Sequence, residues 1–440
     1  MAMAAKLEII QRETIRPSSR TPDNLKIHNL SLLDQVMPIM YTPLLLFYPA
    51  ADGDLHQDRH EKVQRLKKSL PDTLKHFYPL AGRFRDNTSI DCNDQGAEFI
   101  EARIDCLLSE FFRNPDTQML NWFLPATVES PEAATGRLLL VQATFFDCGG
   151  LAIGICISHK MADAATLSTF TKCWSAIAHS GSSNAVVTPP VFTGSSIFPP
   201  LDISIPPTPV GLMQKNCITN RFVFSASGIS ALRAKLASET ALEPTRVEAV
   251  SGLLWKSAMT ALRSRLGYSR PSVWCMLINM RPRFLPPLPE NYSGNCVGHI
   301  TPKTMNEDNC EIELEETFVR IRKEIEGFSE NYVKKLRGEG SLQAIFGLLK
   351  EYGELAMSND TDIYMCSSWC RFGLYDADFG WGRPAWVSFT CVKKTNTVTL
   401  MDARDGDGIE AWLTLSEEDM AFFEKNPEIL EFAAVNPSVS

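Results

Sequence analysis

Leu138 to Asp163 reads LLLVQATFFDCGGLAIGICISHKMAD, two apolar runs around a short turn that end on a cluster of polar residues. Leu138 to Phe146 predicts a mostly apolar strand, Asp147-Cys148-Gly149-Gly150 a turn, and Leu151 to Ser158 a second buried strand that runs back. Just beyond, Leu167, Phe170, Trp174 and Ile177 recur at spacings of three and four. That stripe predicts a helix with one face on a core. Strand, turn, strand and helix therefore follow within about forty residues, with His159 where the second strand gives way to the helix.

Working outward, the clearest interruption is Ser180 to Lys215, which opens on Ser-Gly-Ser-Ser and carries seven prolines from Pro189 to Pro209. Proline lacks an amide donor and fixes φ, so this density excludes a regular helix or a central strand. A structureless stretch of this length predicts a crossover between two domains. The expected division is an N-terminal domain over 1–180, a proline-rich crossover over 181–215 and a C-terminal domain over 216–440. In the second half, Arg246 to Arg263 has helical spacing in Val247, Val250, Leu254 and Ala258. Thr397 to Met401 and Ile409 to Leu415 read as strands that flank Asp405-Gly406-Asp407-Gly408, whose residues tolerate positive φ and so close a hairpin. A short helix is expected to begin at Glu418. Helices and strands mix in both halves, which predicts an α/β or α+β protein.

The bulk numbers exclude several classes. At 440 residues, 44% hydrophobic and 22% charged, the chain can bury a large core without disulfide or metal staples. Its formal charge of -9 is the wrong sign for a phosphate-tracking protein, so no nucleic-acid partner is expected. Lys6, Glu8 and Arg12 precede any apolar stretch, and the run Val36 to Ala51 is broken by Pro38, Pro43 and Pro49. No secretory leader or membrane span is expected, and the cytoplasm is the expected compartment. The twelve cysteines are scattered without zinc spacing, so no metal is expected and the thiols are read as reduced.

His159 is the first candidate for chemistry. An imidazole titrates near neutrality, and as a neutral ring it can take a proton from a hydroxyl. Element ends are where a rigid scaffold presents one polar side chain to a cleft. Asp163, four residues on, completes a His-x-x-x-Asp pattern. Other chemistries lack their residues: there is no GxSxG elbow and no phosphate-binding P-loop. Gly406-Asp407-Gly408-Ile409-Glu410-Ala411 fits GxGxxA in letters, but a strand follows it where a dinucleotide site needs a helix. Cys156, between Ile155 and Ile157, reads as a core thiol. The second cluster is Asp378-Phe379-Gly380-Trp381-Gly382, in which Gly380 and Gly382 permit unusual φ and the aromatics bury large area. It reads as a tight structural loop.

His159-Lys160-Met161-Ala162-Asp163 together with Asp378-Phe379-Gly380-Trp381-Gly382 resembles the motif pair of the plant BAHD acyltransferases. Tyr78 to Arg83, Thr245 to Ala249, Asn279-Met280-Arg281 and Ser367 to Arg371 agree, so the likeness covers almost the whole chain. Leu32 to Gln35 and Ser158 to Phe170 are most similar to members that acetylate alkaloid and terpenoid alcohols. Met280 stands where the family usually has Leu, and Ser293 where the anthocyanin acyltransferases carry an aromatic.

The resemblance implies a chloramphenicol acetyltransferase-like α/β fold, with two domains of similar size, mixed sheets and a channel at their interface. It implies acetyl-CoA as co-substrate with no permanently bound cofactor, a small-molecule alcohol as acceptor, and a monomer. His159 would act as general base on the acceptor hydroxyl, and Trp369 with Ser367 would serve the oxyanion and the acyl-CoA. Asp163 would turn away to pair with Arg281, while Asp378, Gly380 and Gly382 would be scaffold. The alternatives are a malonyl- or hydroxycinnamoyl-transferase acting on anthocyanins or phenolics, and a non-catalytic binding protein of the same fold. A peptide-synthesis condensation enzyme would need a second His at Ser158 and a Gly at Ala164.

Overall fold

The computed structural model describes residues 5–50, 55–130, 133, 136–181, 187–202, 216–304, 312–336, 340–358, 360–390 and 394–439. Leu139–Phe146 and Leu151–Ser158 are paired antiparallel strands, every residue buried. They lie in the middle of a six-stranded sheet ordered Leu7–Ile15, Ala97–Ile104, Leu139–Phe146, Leu151–Ser158, Tyr41–Tyr48, Trp386–Ser388. Ala97–Ile104 and Leu139–Phe146 run parallel and the other neighbours antiparallel, so the sheet is mixed. The helix after His159 spans Ala164–Ser180, capped by the Asp163 carboxylate at its start and closed by Gly181 at φ 62°. Leu167, Phe170 and Trp174 are fully buried against the same core, beside helix Leu55–His76.

The second sheet contains Val297–Ile300, Ser272–Asn279, Asp362–Ser368, Thr397–Asp402, Ile409–Ser416, Cys217–Phe224 and Ala433–Val435 in that order, with Lys303–Thr304 added beside Ser272–Asn279. It mixes parallel and antiparallel pairs too. Helix Arg246–Leu266 begins in a capping box between Thr245 and Glu248 and ends at Gly267, φ 83°. It buries Val250, Leu253, Leu254 and Trp255 in a second apolar core. The hairpin at 405–408 forms, with Gly406 at φ 79° and Asp402 opposite Ile409.

Two features were beyond the sequence. Trp386–Ser388, from the second half of the chain, supplies the edge strand of the first sheet beside Tyr41–Tyr48. Its Trp386 indole donates to Glu410, 3.1 Å, and Glu410 also accepts from Arg221, 3.0 Å, so a buried cluster joins the two sheets. The crossover also departs from expectation. Residues 182–186 and 203–215 lie outside the described residues, but Gly194–Ile197 forms one helical turn. Proline excludes a helix only where it interrupts one, and the eight residues between Pro190 and Pro199 leave room for a turn. Phe192 from this segment packs on the first core and Phe198 in the second. Among the described residues, no helix is long and apolar enough to cross a membrane, and no three His, Cys, Asp or Glu are grouped to hold a metal.

Candidate active site

Strand Leu151–Ser158 delivers His159 to the junction of the sheets. Its backbone amide donates to the Met40 carbonyl, 2.8 Å, and Met161 and Ala162 both donate to Ser158, folding the chain into a tight turn. Ring nitrogen Nδ1 is buried and has no hydrogen-bond partner, while the residue as a whole stays partly exposed. Nε2 is thus the nitrogen left to face a ligand. Burial lowers the pKa of the ring below the usual histidine value, and this outweighs its own backbone, Asp163, Asn295 and Asp34, which favour the charged form. Burial thereby favours the neutral ring.

Asp163 is turned away from that ring. Both of its oxygens receive Arg281, at 2.7 and 3.0 Å. The amide of Thr166 donates to Oδ1, 2.9 Å, and that of Cys296 to Oδ2, 3.0 Å. Burial alone would raise this carboxyl, yet the guanidinium and the two amides hold it below the usual aspartate range. Arg281 also donates to the carbonyls of Tyr292 and Gly294 and lies over the Tyr292 ring. Asp163 and Arg281 are 4% and 3% exposed, so the pair is a dry fastener between the turn after the first sheet and the loop 292–296.

That loop brings residues the sequence did not single out. Asn295 donates through Nδ2 to the His159 carbonyl, 2.7 Å, and to Asp34, 2.8 Å. Asp34, 3% exposed, sits on the short helix Leu32–Gln35. Asp34 lies within the similar stretch Leu32 to Gln35 without standing out there, and a long-range contact of 261 positions has no periodicity to betray it. Lys160 folds back onto the Gln35 carbonyl, 3.1 Å. Ser293 is buried, its hydroxyl on the Asn291 carbonyl.

Ser367 and Trp369 stand at the end of strand Asp362–Ser368 and are bonded to each other, the indole donating to the Ser367 hydroxyl at 3.2 Å. The surroundings of Ser367 reveal a wall. Along the second sheet Trp274, Met276, Ile278, Tyr364, Cys366, Val398 and Leu400 are buried in the second core. The alternate residues Leu277, Ile363, Met365, Ser367, Thr397, Thr399, Val297 and His299 are only partly buried. Successive strand residues face opposite sides, so one side of this sheet is solid core, while on the other Val273 and Cys275 are buried and these eight residues are part-exposed. Met401 and Trp412, on that same side, pack into the first core. Asn295 alternates into Val297 and His299 on this wall. Ser367 lies two strands over from Val297–Ile300, about 10 Å at sheet spacing.

The structure separates the second motif from this place. Asp378 accepts from the amides of Gly380, 2.8 Å, and Gly382, 3.0 Å, and His179 approaches to 3.5 Å. Phe379 is fully buried edge-on to Trp174, ring centres 4.9 Å apart. His179 lies at the far end of helix Ala164–Ser180, about 24 Å from Asp163 at 1.5 Å per residue. Gly380 has φ 103° and Gly382 φ 99°, and a Cβ on Gly380 would lie 2.2 Å from Arg65 Nη1. Arg65 is flexible and can retreat, but the strained φ remains. Gly380→Ala is expected to cost about 1–3 kcal/mol of stability with unchanged kcat in the folded fraction. Thermal melts and active-site-normalised rates check this; a kcat loss at parental stability would give the loop a direct part in turnover.

A family model described as the Transferase family matches residues 5–430. Stemmadenine O-acetyltransferase of Catharanthus roseus is 37% identical over 425 residues, 95% of this chain and 96% of the relative. Limonoid 7-O-acetyltransferase of Citrus sinensis is 36% identical over 455 residues, 98% of each. The crystal structure of vinorine synthase superposes with a TM-score of 0.84 at 35% identity, covering 97% of this chain and 98% of that one.

Proposed function

The chain belongs to the Transferase family, that of the BAHD acyltransferases, and is an acyl-CoA-dependent O-acyltransferase; from that premise we propose that it moves acetyl from acetyl-CoA to a hydroxyl of a bulky specialised metabolite, an alkaloid or terpenoid alcohol, with His159 as general base. The observation that carries this reading is the His159 ring at the junction of the sheets, its Nδ1 buried and burial favouring its neutral form, with Asp163 wholly occupied elsewhere. Nε2 takes the proton of the acceptor hydroxyl as its oxygen attacks the thioester carbonyl. The tetrahedral oxyanion is met by Ser367 and Trp369; the Ser367 hydroxyl only accepts from the indole and keeps its own proton to donate, while the indole must leave Ser367 to face the oxyanion. The C–S bond then breaks, and the departing thiolate of coenzyme A takes the proton from His159. Cys156 is fully buried and burial pushes its thiol to about 12, which speaks against a covalent acyl-enzyme there. Positioning both substrates at once supplies much of the rate.

Asp163, Arg281, Asp378, Gly380 and Gly382 hold the scaffold on this reading, the crossover at 181–215 divides the two catalytic halves, and a cytoplasmic monomer suffices. The wall beside His159 supports a bulky acceptor: Leu277, Ile363, Met365 and Val297 offer apolar area, and Ser367, Thr397 and Thr399 offer hydroxyls. The donor follows from the cations. Malonyl carries a free carboxylate that calls for a paired cation, whereas Lys160 is bound to Gln35 and Arg281 to Asp163. The two named O-acetyltransferases among its relatives support acetyl as well. The test offers acetyl-, malonyl- and coumaroyl-CoA together with an accepted alcohol and reads the products by mass. Acetyl ester should dominate; a higher kcat/KM for either larger donor would overturn the donor and leave the base.

A further inference from the structure

We propose that Asp34 is a positioning residue for His159, acting through the side chain of Asn295. The inference rests on His159 being the general base. Asp34 has an ordinary local role, because Ser31 donates to Oδ2 through its amide, 2.9 Å, and its hydroxyl, 2.6 Å, forming a capping box on Leu32–Gln35. That role uses one oxygen. Oδ1 is given entirely to Asn295, accepting from its backbone amide at 2.7 Å and its Nδ2 at 2.8 Å. All four contacts are donors and favour the ionised carboxylate, against a burial that pushes its pKa up.

The Asn295 amide is thereby oriented without ambiguity. Its two N–H bonds point at Asp34 and at the His159 carbonyl, both acceptors. Its oxygen must face the other way, where it is buried with no partner, and Nδ1 of His159 is buried with no partner too. The two orphans belong to residues in direct contact, since the Asn295 amide donates to the His159 carbonyl at 2.7 Å. One orphan is an acceptor, and the other carries the proton in the tautomer that frees Nε2. A small turn of the imidazole pairs them, fixing that tautomer and giving the imidazolium an oxygen to face once Nε2 has taken the acceptor's proton. The amide passes on the charge of Asp34, since hydrogen bonds in a dry site polarise one another. The other charged groups around His159 are committed: Asp163 to Arg281, and Lys160 to the Gln35 carbonyl.

The test is Asp34→Asn in the full chain, with Ser31→Ala as the control that damages the capping box but leaves Asn295 held. Asp34→Asn is expected to lower kcat about 100-fold, the scale of a misplaced catalytic group, with little change in either KM. The acid limb of kcat/KM should move to lower pH, because a negative charge that favours the imidazolium is gone. Ser31→Ala should lose melting temperature while keeping the parental kcat and acid limb. If Asp34→Asn does not fold, Asn295→Ala carries the same two readouts. An unmoved acid limb, or Ser31→Ala reproducing the loss and the shift, overturns the proposal. Turnover surviving in His159→Ala would instead overturn the general-base reading on which it rests.

Discussion

His159→Ala is expected to remove at least a factor of ~10²–10⁴ from kcat, the usual worth of a general base, while the protein melts as the parent does and still binds coenzyme A. The geometry limits what could replace it. Asp163 is the nearest carboxylate in sequence, but its two oxygens receive four donors. Cys156 is a buried thiol that burial keeps protonated. Truncation to alanine removes a ring whose buried Nδ1 has no partner in the structure, so little stability should be lost. The pH profile gives an independent check. A base works only when neutral, and burial places this ring's pKa below 6.5. Activity should therefore persist below pH 6.5 and fall only as pH drops through the lowered value. Calorimetric binding of coenzyme A to the variant separates a lost base from a lost site. Near-parental turnover, or a profile that collapses already above pH 6.5, would remove His159 from the mechanism.

What was legible in the sequence was local. Leu151–Ser158 and the stripe Leu167, Phe170, Trp174, Ile177 announce themselves by composition and period, and both elements stand where those patterns put them. The Asp-Gly hairpin at 405–408 is likewise a matter of four adjacent residues. His159 could be picked out because an imidazole at a strand end is unusual. By contrast, Trp386–Ser388 is too short to carry a pattern, and its place beside Tyr41–Tyr48 depends on a pairing across more than three hundred residues. The part-exposed wall of the second sheet was hidden for a related reason. Thr397 and Thr399 alternate with Val398 and Leu400 as any half-buried strand would, and only the neighbouring strands show that the polar side faces inward. Asp34 and Asn295 are common polar residues whose significance comes from meeting one another and the His159 carbonyl.

Breaking the Asp163–Arg281 pair should damage the fold more than any surface change. Arg281→Ala leaves a 4% exposed carboxylate with two amides and no cation. Removing one partner of a buried pair costs about 3–5 kcal/mol, a large part of the 5–15 kcal/mol that typically holds a domain. Asp163→Ala strands the guanidinium instead, and it also removes the N-cap of Ala164–Ser180, worth about 0.5–2 kcal/mol on its own. The pH dependence identifies the cause. In the parent the Asp163 carboxyl lies below its unfolded value, so its contribution is complete above the ordinary aspartate range and is lost only as pH falls through the depressed value. In Arg281→Ala the cation is absent and burial dominates, which puts the folded carboxyl above its unfolded value. Its penalty is then largest at neutral pH and shrinks on acidification as the buried group becomes neutral. The stability gap between parent and Arg281→Ala, from urea unfolding, should therefore be wider at pH 7 than near pH 4. A gap that does not change with pH would mean that lost packing of the arginine on Tyr292, and not charge, accounts for the damage. Two variants that melt like the parent and yet fail to turn over would make Asp163 an orienting partner of His159, in conflict with the four donors that now occupy it.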